Sequence, residues 1–189
     1  MTNFFEVDWS ALPVPVDDGA VKHLTGALVP RLSLKATDGT TVDLSALAGL
    51  TVVYVYPMTG RPDTPLPDGW DMIPGARGCT PQSCAFRDHF TELTALGVTQ
   101  LFGLSTQDTA YQREAAERLH LPFALLSDAE LSLAHALSLP LFEAGGRRLI
   151  KRMTLIIENG KITQVFYPVF PPDRSAADVI AWLRARSLP

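Results

Sequence analysis

Cysteine is scarce in this 189-residue chain, which contains only Cys79 and Cys84. Two are too few for the disulfide framework of a small secreted domain. Their spacing is not C-x-x-C, which disfavours a thioredoxin-type disulfide reductase. The four histidines, His23, His89, His120 and His135, are scattered, and none stands at zinc-ligand spacing from a cysteine, so no metal site is expected. Positive charge is not in excess: the net charge is −4 and the pI near 5.5, which argues against a nucleic-acid footprint or a polybasic membrane patch. No apolar run approaches the roughly 18 residues of a membrane-spanning helix. The first nineteen residues carry acids early and no basic stretch, unlike a secretory signal. Ser105 and Ser127 lack a Gly-x-Ser-x-Gly setting, so a hydrolase is a poor reading. These absences leave a cytoplasmic protein whose thiols stay reduced unless chemistry oxidises them.

The chain is 47% apolar, enough for a substantial core in one domain. Residues 1–25 read as an extension broken by Pro13, Pro15 and Gly19, with Phe4, Phe5 and Trp9 available to pack on a surface. Residues 26–189 read as the domain. Residues 32–44 alternate apolar and polar about Asp38-Gly39, predicting a hairpin with a type I′ turn. Residues 51–57, TVVYVYP, predict a strand buried on both faces and ended by Pro57. Thr80 is a good N-cap and Pro81 suits a first helical position, so a helix is expected over 80–96 with Gly97 as its stop. Further strands are expected at 98–105 and 122–128, helices at 107–120, from Asp128 to about residue 137 and at 175–187, and a second hairpin at 153–167 about Asn159-Gly160. This order gives an α/β fold: a thioredoxin-like mixed sheet flanked by helices, with an extra N-terminal β-hairpin.

The cysteine pair stands where that helix begins. Unpaired N–H groups and the helix dipole there stabilise a thiolate. Free cysteine is also a common buried filler, so the pair alone does not decide its role. Its surroundings do more. Tyr56 and Pro57, then Gly78, Cys79, Thr80, Cys84, Phe86, Arg87 and Asp88, resemble the peroxiredoxin family, and within it the peroxiredoxin Q group, also called bacterioferritin comigratory proteins. The resemblance covers about residues 26–187. It implies that Cys79 attacks a hydroperoxide, that Cys84 resolves the sulfenic acid as an intramolecular disulfide, and that Arg152 is the essential arginine before a late strand. It further implies hydrogen peroxide or small alkyl hydroperoxides as substrates, thioredoxin or a similar dithiol as reductant, no cofactor, and a monomer. By spacing alone Arg152, beside Arg147, Arg148 and Lys151, reads as a surface charge.

The chain departs from the family before Cys79. Ala76 stands where the family has threonine or serine, Met72 where it has proline, and residues 58–78 form an insertion rich in Pro and Gly. With Pro57, Gly78 and Thr80 in the substrate pocket, Thr59 or Thr64 is expected to fold back and supply the hydroxyl; the insertion reads equally as a segment that shapes the pocket with Trp70, Met72 and Ile73 or as an ordered surface excursion packing its own Trp.

Magnitudes show what else is needed. A free thiol of pKa about 8.5 is only ~3% thiolate at neutral pH, and a drop to about 6 raises that roughly 30-fold. The accompanying loss of nucleophilicity is roughly tenfold. Most of the catalysis must therefore come from donors aimed at the peroxide oxygens. Five residues along a helix also place two Cα atoms about 8–9 Å apart, beyond the ~7 Å limit of a disulfide, so closure requires the first turns to unwind. Two other readings stay open: a one-cysteine peroxidase resolved by an external thiol, and a non-enzymatic redox sensor.

Overall fold

The computed structural model describes residues 7–186. Phe4, Phe5 and Ser187 lie outside them. A mixed sheet of seven strands runs in the order β2-β1-β5-β4-β3-β8-β9. Its strands are β1 (Leu34–Ala36), β2 (Thr41–Val42), β3 (Leu50–Val55), β4 (Val98–Ser105), β5 (Leu125–Ser127), β8 (Met153–Glu158) and β9 (Lys161–Phe166). The three central strands β3, β4 and β5 are parallel, and β1, β8 and β9 join antiparallel. Helices α1 (Cys79–Asp88), α2 (Phe90–Ala95), α3 (Thr109–Arg118), α4 (Ser132–Ala136) and α5 (Ser175–Arg186) flank the sheet.

β3 shows why it sits at the centre. Its residues from Thr51 to Val55 are all buried. Val53 and Val55 enter one core with Phe102, Leu104 and Leu155, while Val52 and Tyr54 enter the other with Phe86, Ile156 and Val179. Side chains alternate between the faces of a strand, so a continuous apolar run feeds both layers. Val21 and Leu24, from the expected N-terminal extension, are buried in the first core.

Three local readings need correction. The hairpin of β1 and β2 is present, but its turn is not type I′: Gly39 alone has a positive φ, and Asp38 instead accepts the Thr40 N–H. Such a turn closed by one left-handed glycine is the three-residue alternative. At the second hairpin both Asn159 and Gly160 have positive φ, as type I′ demands. The helix expected over 80–96 is two helices, broken at His89, and it begins one residue early. Gly78, at φ 105°, is its N-cap, so Thr80 lies inside the first turn and Cys79 becomes the first helical residue.

A further hairpin, β6 (Leu141–Ala144) and β7 (Arg147–Ile150), turns through Gly145 and Gly146 and forms a separate small sheet. The 58–78 insertion packs on it. Trp70 lies 6.3 Å from the Phe142 ring, and Met58, Ala76, Ala144 and Leu149 complete a third small core.

Candidate active site

Cys79 is buried at the start of α1, as part of the second core. Its sulfur meets two donors: Arg152 Nη2–H at 3.2 Å and the Met58 N–H at 3.4 Å. Its own S–H points at the Ala76 carbonyl, 3.6 Å away. Of the first helical N–H groups, Pro81 has none and Gln82 bonds the Gly78 carbonyl, which leaves those of Cys79 and Thr80 as donors of the helix start.

Arg152 is 3% exposed. It reaches the sulfur because it lies just ahead of β8, whose neighbour β3 ends at the loop leading to Cys79. Its Nε–H donates to the Gly75 carbonyl at 3.2 Å, and Nη2 also donates to the carbonyls of Ala76 and Arg77 at 3.0 and 3.1 Å. Nη1 donates to Gln82 Oε1. Gln82 is fully buried, and its Nε2 donates to Ser175 Oγ, which in turn meets Thr154 Oγ1. Among the described residues, no carboxylate forms a salt bridge with Arg152. A buried cation without an acid beside it is costly, so negative charge developing on a reacting oxygen is favoured there.

A small cavity of about 20 Å³, room for about one water-sized group, opens against the sulfur. Gly78 and Thr80 line it as expected, with Met58, Trp70, Arg77 and Pro81 among the others. Pro57 is buried and does not line it. The hydroxyl expected from the insertion is not delivered. Thr59 is buried, but its N–H and hydroxyl both donate to Gln107 Oε1, at 2.9 and 3.1 Å. Thr64 is exposed and bonds its neighbour Asp63. Of the three apolar residues expected to shape the pocket, Trp70 does so, Met72 is exposed, and Ile73 lines a different cavity behind Arg152. Sequence reasoning missed Gln82, although a polar residue three positions after Cys79 falls on the same helix face.

Both cysteines are free thiols, and one unbroken helix holds them. Helical geometry keeps their Cα atoms about 8–9 Å apart. Cys84 is half-buried beside Arg87, and burial pushes its thiol above the ordinary range.

The family model described as Redoxin matches residues 24–180. The chain belongs to the redoxin family. The relatives of this redoxin include the chloroplastic peroxiredoxin Q of Gentiana triflora, 28% identical, covering 93% of this chain and 76% of that protein. Another is the chloroplastic peroxiredoxin Q of Triticum aestivum, 31% identical, covering 82% of this chain and 64% of that protein. Among solved structures, the peroxidoxin BcpB of Mycobacterium tuberculosis superposes with a TM-score of 0.68 at 28% identity, covering 85% of this chain and 96% of that one. A bacterioferritin comigratory protein of Xanthomonas campestris, studied for alkyl peroxide reduction, shares the fold with a TM-score of 0.66 at 22% identity, covering 94% of this chain and 99% of that one. The thioredoxin-like architecture read from the element order is the fold of these proteins. No described helix of this redoxin is long and apolar enough to cross a membrane.

Proposed function

We propose that this redoxin is a thiol-dependent peroxidase of the two-cysteine type. The carrying observation is a sulfur at a helix start, 3.2 Å from a buried guanidinium that has no acid partner among the described residues. The Cys79 thiolate attacks the terminal oxygen of a hydroperoxide, the O–O bond breaks, and the leaving oxygen departs as alcohol or water with one proton. Arg152 and the helix-start N–H groups hold the charge that moves onto that oxygen. The small cavity suits hydrogen peroxide or the peroxide end of a small alkyl hydroperoxide. The alkyl peroxide reduction reported for the Xanthomonas relative supports the second class.

The sulfenic acid then meets Cys84 once the first turns of α1 unwind. Unwinding also exposes Cys84 and lets its thiol return toward the ordinary range, where it yields thiolate more readily. Thioredoxin or a similar dithiol reduces the disulfide, in a reducing compartment such as the cytoplasm; the plant relatives are named as chloroplastic. Closure within one chain requires no second subunit, and a monomer suffices.

Stopped-flow tryptophan fluorescence with hydrogen peroxide tests this reading. Wild type reacts far faster than free cysteine, Cys79→Ser does not react, and Cys84→Ser forms a sulfenic acid but loses turnover with thioredoxin. A wild-type rate near that of free cysteine overturns the reading in favour of a sensor. Full turnover by Cys84→Ser overturns the role of Cys84.

A further inference from the structure

Residues 9–18 cross the face that carries the site and touch a neighbour of each of its working parts. Trp9 lies directly over Gly78, the residue before Cys79: a Cβ at Gly78 would stand 2.7 Å from Cη2 and 2.9 Å from Cζ3 of the indole. The ring meets Phe170 edge-on at 6.1 Å, and its Nε1–H donates to Asp173 Oδ2 at 2.9 Å. Pro15 packs near Gly75, whose carbonyl holds Arg152 Nε. Asp18 pairs with Lys151, the residue before Arg152, at 2.7 Å, and accepts from the Tyr167 hydroxyl at 2.9 Å.

This arrangement fits only one state of α1. The seat under the indole is the left-handed N-cap of the folded helix, closed on its other side by Pro172. Closing the disulfide must undo the helix from Cys79 to Cys84, because its geometry holds the two sulfurs apart. Undoing it moves Gly78 from beneath the ring. A contact made in one state and lost in the other shifts the balance between them.

We propose that Trp9 is a positioning residue for the disulfide-closing step, holding the helix start folded and so setting how the Cys79 sulfenic acid divides between two fates. This rests on the two-cysteine reading above. In the first fate, Cys79 Sγ–OH and Cys84 Sγ–H join as Sγ–Sγ and release one water. In the second, a further hydroperoxide gives one oxygen to the sulfenic sulfur, which becomes sulfinic acid, and the peroxide is reduced to alcohol or water. A tighter clamp slows the first fate and leaves more sulfur to the second.

The test uses the full chain, reduced, then treated with increasing hydrogen peroxide, with disulfide and sulfinic acid counted by intact-mass spectrometry. Trp9→Ala closes about tenfold faster, equivalent to ~1.4 kcal/mol, and needs about tenfold more peroxide to reach half sulfinic acid. Trp9→Phe keeps a ring over Gly78, loses only the Nε1–H bond, and stays within about fivefold of wild type. Unfolded chain also closes the disulfide freely, so the ratio is read under conditions where a urea melt shows each variant fully folded, and loss of global stability then does not supply the change. An unchanged ratio in Trp9→Ala, with the wild-type disulfide forming normally, overturns the clamp and leaves the two-cysteine reading intact. Absence of any wild-type disulfide overturns both. Should Trp9→Ala not fold, wild type decides through chymotrypsin cleavage after Trp9. Faster cleavage in the disulfide form than in the reduced form supports the clamp, and equal rates overturn it.

Discussion

Arg152→Lys separates charge from geometry at the centre of the site. The guanidinium serves five acceptors at once: the carbonyls of Gly75, Ala76 and Arg77, the Gln82 amide oxygen, and the Cys79 sulfur. Lysine keeps the positive charge but offers three donors from one point, which cannot span acceptors arranged around a planar fork. The donor on the sulfur is Nη2, which the Ala76 and Arg77 carbonyls also hold, and a lysine ammonium drawn to those carbonyls would no longer be aimed at sulfur and peroxide. Loss of one preorganised transition-state donor costs about 10²–10³ in rate, or roughly 2.7–4 kcal/mol. Buried carbonyls left without a donor cost stability as well, about 1–3 kcal/mol each. The assay is the second-order rate of Cys79 oxidation by hydrogen peroxide, read beside alkylation by iodoacetamide and a urea melt. We expect oxidation to fall about a hundredfold and alkylation by less than tenfold, because alkylation has no O–O bond to stabilise. A folded variant that reacts with peroxide within threefold of wild type refutes the assignment of Arg152. Equal losses in both reactions confine its role to the thiolate.

Other predictions follow from the same site. Gly78→Ala would place a Cβ 2.7 Å from both Pro172 Cγ and the Trp9 indole, at a φ of 105° that alanine disfavours, so we expect a loss of about 2–4 kcal/mol in urea melts; a loss under 0.5 kcal/mol would contradict the close packing. The Cys84 thiol is raised by burial, so its neutral form supports the folded helix below the ordinary thiol range, and that support is lost as pH rises through the raised value. Disulfide closure after one equivalent of peroxide should therefore accelerate from pH 7 to pH 9, by up to about tenfold per unit, and a flat profile would exclude Cys84 as the attacking thiolate.

The sheet order was legible because each central strand carries its own signal. The run 51–57 has no polar break, and Asn159-Gly160 has the backbone freedom its turn uses. The β6–β7 hairpin was equally readable from Gly145-Gly146 but was missed. The site was less legible. Local pattern identifies a cysteine near a helix start, whereas the burial of Arg152 depends on how the segment before β8 passes beneath the 75–77 loop; beside Arg147, Arg148 and Lys151 it looks like a surface charge. The family resemblance supplied what spacing could not. The fate of Thr59 and Thr64 was beyond local reasoning, because the insertion takes its shape from distant partners: Gln107 for Thr59 and Phe142 for Trp70.

The insertion and the β6–β7 hairpin share one miniature interior, centred on Trp70 and Phe142. Each packs its apolar side chains against the other, so each is the other's scaffold. Grafting one onto a shorter relative without its companion would leave a bare greasy face. The two segments, distant along the chain, form a single cassette to be gained, lost or transplanted together, and because Trp70 also lines the sulfur's cavity, that cassette brings one wall of the reaction chamber with it.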